Sequence, residues 1–235
     1  GVGGNHMSWF QQVPHFANHY TVVTYDQRGW GFSRGPEGGP GGAAFVDDLA
    51  ALLDHLGIER AHVVAQSMGG WTALGLAYRR PERVRSLVLA DTHGGLETGE
   101  IRTAIRLGGP QSEPAPLPFR ASQALDARFA RDHPALAFLY NQISELNPPR
   151  VAPMDEHLRS INRLSSEQAA SVRCPTLFIV GERDEVIPPA TIELARRLLP
   201  NARISRVPAT GHSVYFERPL LFNRIVDEFL SSLRE

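Results

Sequence analysis

Three side chains far apart in this chain have the types needed for acyl transfer. Ser67 lies in Ala65-Gln66-Ser67-Met68-Gly69-Gly70, after the apolar run His62-Val63-Val64-Ala65 and before the helix-like Trp71 to Tyr78. The string reads as a strand, a tight turn and a helix. Small residues stand two places either side of the serine, where a strained turn would crowd larger ones. That geometry lifts the Ser67 hydroxyl above the end of a sheet. It leaves the Met68 N–H at a helix N-terminus, where a developing negative charge is stabilised. Taken alone, the string reads equally well as a serine capping a helix. Asp184 follows the apolar run Thr176 to Val180, and His212 follows Ile204 to Val207. Alone, Asp184 reads as a turn aspartate ahead of the helix that begins near Pro189, and His212 as a turn histidine. Together the three form a nucleophile, a base and an orienting acid. Each follows a strand end, where open α/β sheets build their sites.

These residues sit in a wider pattern. Gly1-Val2-Gly3-Gly4-Asn5 resembles a loop that supplies an oxyanion-binding N–H. Tyr25-Asp26-Gln27-Arg28-Gly29-Trp30-Gly31-Phe32-Ser33, the serine turn, Pro81-Glu82-Arg83-Val84, Gly181 to Pro188 and Gly211-His212 complete the set. The chain resembles the α/β-hydrolase fold family, in its compact serine esterase, 3-oxoadipate enol-lactonase and cofactor-free haloperoxidase-like branch. The resemblance covers most of the chain, and the order Ser, Asp, His is that family's order. It implies Ser67 as nucleophile, His212 as general base and Asp184 as the acid orienting it. It also implies an oxyanion hole from the Val2 and Met68 N–H groups. Asp91, after Leu87 to Ala90, is a rival acid. Asp184 is preferred because Gly181-x-x-Asp184 and Ile187-Pro188 match the commoner pattern. The resemblance further implies strands and a His-Gly pair ahead of Gly1. The chain is therefore expected to be a fragment lacking N-terminal strands.

The elements that must carry these residues are legible as alternation. The predictions are a helix over Met7 to Ala17, a strand over Tyr20 to Tyr25 and a helix from Phe45 to Leu56 stopped by Gly57. The serine strand and helix and a strand over Val84 to Ala90 follow. Strand alternating with helix predicts a mostly parallel sheet flanked by helices, with right-handed crossovers. The alternation breaks between Gly94 and Ala170, which holds prolines at Pro110 to Pro118, Pro148, Pro149 and Pro153. Helices are expected over Ser122 to Leu146, interrupted at Pro134, and over Met154 to Leu164. The resemblance makes 94–170 a helical cap over a core of 1–93 and 171–235. The last block ends in an amphipathic helix, Leu220 to Leu233. Trp30 and Trp71 flank the expected site and read equally as substrate contacts or as core. His93, after a strand end, is a further candidate for substrate contact, with Trp71 the tryptophan put forward beside it. His62 reads as structural, and His55 sits at a helix end where it favours the dipole.

Composition excludes several classes. The chain has 235 residues, 42% hydrophobic and 21% charged, enough for one α/β domain with a substantial core. A net charge of −1 with scattered positive residues gives no nucleic-acid or anionic-membrane surface. No apolar stretch approaches a membrane span. No His, Cys or carboxylate cluster has metal-ligand spacing. Gly1 to Gly4 is not followed by the Lys-Ser/Thr of a phosphate loop. The single cysteine, Cys174, reads as packing and fits a reducing, cytoplasmic setting. The expectation is a cofactor-free enzyme cleaving a small carboxylic ester or lactone, monomeric or a homo-oligomer. The same residues would serve a hydrolase of C–C bonds in meta-cleavage products, a thioesterase or a perhydrolase. A hydrolase-like receptor with little turnover is the alternative from another class.

Overall fold

The computed structural model describes residues 1–108, 123–148 and 153–233. Four strands, β1 (Ala61–Gln66), β2 (Val84–Ala90), β3 (Thr176–Gly181) and β4 (Ala202–Val207), form one parallel sheet in the order β1-β2-β3-β4. β2 and β3 are almost wholly apolar because both faces of the sheet are covered. Their side chains alternate accordingly. Leu87, Leu89, Phe178 and Val180 face one core, and Val88, Ala90, Leu177 and Ile179 face the other.

The first core is closed by α2 (Phe45–His55), α3 (Gly69–Arg79) and α9 (Pro189–Leu198), through Phe45, Leu49, Leu74 and Ile192. α2 carries apolar residues at helical spacing and ends with Gly57 at φ +66°, a conformation glycine adopts without strain. The second core is closed by α10 (Val214–Glu217) and α11 (Pro219–Ser231), through Phe216, Phe222, Val226 and Phe229. Each such fully buried side chain stabilises the fold by about 1.5–3 kcal/mol.

Between β2 and β3 the described residues hold only helices: α4 (Gly99–Gly108), α5 (Ala127–Asp132), α6 (Pro134–Glu145), α7 (Met154–Ile161) and α8 (Ser166–Ala170). The break at Pro134 is as expected, with Asp126 capping α5 and the proline opening α6. The proline-rich stretch 110–118 lies within 109–122, outside the described residues. The insertion has a narrow neck, where the Leu164 N–H donates to the Gly95 carbonyl (3.1 Å) and the Glu97 N–H to the Leu164 carbonyl (3.0 Å).

Two expectations near the N-terminus need correction. The helix over Met7 to Ala17 is instead a 3-10 turn, His6–Trp9, and one turn of helix, α1 (Val13–Phe16). Pro14 has no N–H to continue a longer helix through that point. Tyr20 is a bend, and 21–25 form no strand of the sheet among the described residues. A cavity of about 1330 Å³ is lined by both this segment and β1. Ladder hydrogen bonds need backbones about 4.8 Å apart, so the expected strand is not part of the ladder.

α3 packs closely against the end of β2. A Cβ at Gly70 would lie 2.4 Å from the Thr92 methyl, and Thr92 is fully buried and β-branched, so it cannot rotate away. Alanine gains about 1 kcal/mol of helix propensity over glycine, but overpacking a rigid contact costs about 1–3 kcal/mol. Gly70→Ala is expected to lose stability by urea denaturation, and Thr92→Ala in the same chain, which removes both the methyl and the hydroxyl that crowd it, to restore part of it.

Candidate active site

The ladder sets the site. Beyond β1, the Ser67 N–H still donates to the Ala90 carbonyl (3.0 Å), and beyond β2 the Asp91 N–H donates to Ile179 (2.8 Å). Immediately afterwards both residues turn left-handed, Ser67 at φ +48° and Asp91 at φ +49°. A non-glycine residue held there costs about 1–3 kcal/mol. The buried apolar side chains of α3, led by Trp71, Leu74 and Leu76, outweigh that cost and hold the turn.

The three predicted residues meet at these strand ends. His212 Nε2 is 2.8 Å from Ser67 Oγ, and His212 Nδ1 is 2.8 Å from Asp184 Oδ2. The carboxylate can only accept, so the imidazole carries its proton on Nδ1 and Nε2 accepts from the serine hydroxyl. Asp184 is fixed in turn, because its Oδ1 accepts from the Val186 (2.9 Å) and Ile187 (2.8 Å) N–H groups. All three side chains are buried. The two loops carrying Asp184 and His212 touch through backbone. A Cβ at Gly181 would lie 2.1 Å from the Gly211 carbonyl oxygen, and the Arg183 N–H donates to Thr210 (2.9 Å). The glycine that opens the Gly181-Glu182-Arg183-Asp184 turn is therefore required by close approach.

Asp91 is not the acid partner of His212. Its Oδ1 accepts from the Gly181 N–H (3.0 Å) and its Oδ2 from the Val214 N–H (3.2 Å), tying β3 to the start of α10. Complete burial, with Asp184 nearby, pushes its carboxyl well above the usual range.

The loop at residues 1–5 lies beside the serine. A Cβ at Gly1 would be 3.1 Å from Ser67 Cβ, and the Val2 carbonyl accepts from Trp30 Nε1 (2.8 Å). Trp30 thus anchors the residue whose N–H was expected to face the oxyanion. The Asp26 carboxylate explains the segment around it. It accepts from the His6 (2.7 Å) and Phe32 (2.9 Å) N–H groups, and Gly31, at φ +49°, leaves the space it fills. Trp71 and His93 are brought together as an edge-to-face pair at 4.5 Å. Burial lowers the His93 imidazole to about 4, which keeps it neutral at ordinary pH.

Sequence reasoning missed two further residues. Gln66, inside the serine motif, donates from Nε2 to the His212 carbonyl (2.7 Å) and joins the serine turn to the histidine loop. Its position next to Ser67 was the available signal. Asn147, just past α6, donates to the Gly3 (3.1 Å) and Gly4 (3.3 Å) carbonyls and accepts from the Gly31 N–H (3.0 Å). It fastens the insertion to the loop carrying Val2, and no motif marks it.

Residues 1–219 match the profile of the alpha/beta hydrolase fold. The chain belongs to that family. Two similar proteins carry provisional names as carbamate hydrolase RutD (Caulobacter sp. strain K31) and non-heme bromoperoxidase BpoC (Mycobacterium tuberculosis H37Rv). The first is 29% identical over 98% of this chain and 88% of its own. The second is 30% identical over 100% of this chain and 92% of its own. A thermophilic esterase from Thermogutta terrifontis has a similar structure, with a TM-score of 0.81 at 26% identity, covering 100% of this chain and 88% of that one. The family is one of hydrolases, and no helix among the described residues is long and apolar enough to cross a membrane.

Asn147→Ala removes two accepted bonds, from the Gly31 N–H and Asn5 Nδ2, and two donated ones from a partly buried junction. It is expected to cost about 1–2 kcal/mol in urea denaturation and to raise amide exchange at Gly31.

Proposed function

We propose that this chain hydrolyses a small carboxylic ester or lactone through an acyl-enzyme on Ser67. The observation that carries the reading is the continuous hydrogen-bonded path from Ser67 Oγ through the His212 ring to Asp184, with both links at 2.8 Å. As Ser67 Oγ bonds to the substrate carbonyl carbon, its proton passes to His212 Nε2. The imidazolium is supported by Asp184 and then gives that proton to the leaving alkoxide. Water, deprotonated by His212, attacks the acyl carbon, and Ser67 leaves as its hydroxyl. The Val2 and Met68 N–H groups bind the oxyanion in both steps. One such donor contributes about 10²–10³ in rate.

The helical insertion 94–170 serves in this reading as a cap that excludes water, with Trp71 and His93 beneath it as candidates for substrate contact. The esterase among the structural relatives supports an ester substrate. The name of the carbamate hydrolase relative favours a second substrate class, carbamates, cleaved by the same residues.

The test is steady-state hydrolysis of p-nitrophenyl acetate and butyrate beside an aryl carbamate. Ser67→Ala is expected to lose about 10⁶-fold in kcat, and Asp184→Asn about 10⁴-fold with its fold intact. Undiminished turnover in folded Ser67→Ala overturns the nucleophile assignment. Preference for the carbamate over both esters overturns the substrate class alone.

A further inference from the structure

Glu217 lies at the end of α10, five residues beyond His212, and is 5% exposed. Its side chain points back at backbone. Oε1 accepts from the Gly211 and Asp126 N–H groups, both at 3.2 Å, and Oε2 is also 3.2 Å from the Gly211 nitrogen. Gly211 immediately precedes His212, and Asp126 is the N-cap of α5, the helix that opens the second part of the insertion. The junction is tight. A Cβ at Gly211 would lie 2.5 Å from the Asp126 nitrogen and 3.0 Å from Glu217 Oε1. Glycine at 211 therefore admits both the insertion's backbone and the carboxylate.

We propose that Glu217 is a positioning residue for catalysis: one buried carboxylate ties the loop carrying His212 to the helical insertion, so that the base and the cover over the site are set by the same group. The proposal rests on the reading of His212 as the general base.

Helix α10 itself has no need of a carboxylate at its last position, where the negative end of the helix dipole faces it. A buried amide at Gly211 and a part-buried one at Asp126, neither with a helical or sheet partner, do need an acceptor, because an unmet N–H away from water is costly. The carboxyl is held among acidic neighbours. Asp126 faces it from the insertion and Asp91 from the end of β2, while Arg183 pairs with Asp126 at 3.4 Å. His212, on the adjoining loop, is engaged by Asp184. Burial pushes the Glu217 carboxyl up to about 7, against the pull of the amides. At pH 8 it is ionised and a strong acceptor.

The role is tested at pH 8 by Glu217→Ala and Glu217→Gln. Alanine leaves both amides unpaired and is expected to lower kcat/KM about 10- to 100-fold, with a fall in kcat and a rise in KM together. A fall in kcat reports the base loop, and a rise in KM reports the insertion. Glutamine keeps one acceptor oxygen and is expected to recover part of the loss. Unchanged kcat and KM in Glu217→Ala overturn the proposal, as does a loss that glutamine leaves entirely unrepaired. Amide exchange in the unmutated protein decides the matter if the variants do not fold. Gly211 and Asp126 N–H groups are expected to be protected at least tenfold over free loop amides, and exchange of both at free-loop rates overturns the clamp. Exchange needs no turnover, so absence of esterase activity with both amides protected would indict the proposed reaction and not the junction.

Discussion

The parallel ladder runs one residue past the strands it defines, through Ser67 N–H to Ala90 and Asp91 N–H to Ile179. β1 and β2 end level with each other, and β3 and β4 end level two residues further on, so their loops emerge at the same end of the sheet. Side chains from positions 67, 184 and 212 then need only short turns to meet. The sheet's register fixes where these loops start, and register in a doubly covered sheet is strongly specified by the apolar alternation on its two faces. The 2.8 Å hydrogen bonds across the site combine this register with the loop contacts that fix Asp184 and His212.

A second level of order links the helical insertion to this frame, and two of its contacts lie beside the loops of the site. Asn147 meets the loop at residues 1–5, and the Asp126 N–H meets Glu217 behind the histidine loop. One point serves the expected oxyanion side and the other the expected base side. Both use side chains that accept or donate to backbone, which fixes position without depending on the identity of the neighbouring residue. Asp91 does the same deeper in the core, joining β3 to α10 with both oxygens. Its buried carboxyl beside Asp184 also leaves Asp184 as the group that reaches the imidazole.

The parts legible in the sequence were those with a local signature. The serine turn shows itself by small residues at fixed offsets, the strands by apolar runs, and Asp184 and His212 by their places after such runs. Residues that act across the fold left weaker traces or none. Asn147 and Glu217 each serve partners more than ninety positions away or on a separate loop, and single-sequence periodicity carries no information about those. Gly70 and Gly211 look like ordinary small residues, although each is dictated by a backbone or methyl pressed against it. Tyr20 to Tyr25 failed for another reason. A ladder is a property of two segments, and in the described structure this one and β1 line a common cavity.

The neck of the insertion, where Leu164 pairs with Gly95 and Glu97, brings the entering and leaving chain side by side. Ends held that close make a natural splice. A different helical segment could be grafted between them without asking the sheet to change its spacing. The graft would fail to cooperate with the core, however, unless it also presented an amide where Asp126 stands and a carboxamide where Asn147 stands. The interchangeable unit in this architecture is thus the helical insertion together with these two contacts, and a graft between relatives is expected to carry all three as one block.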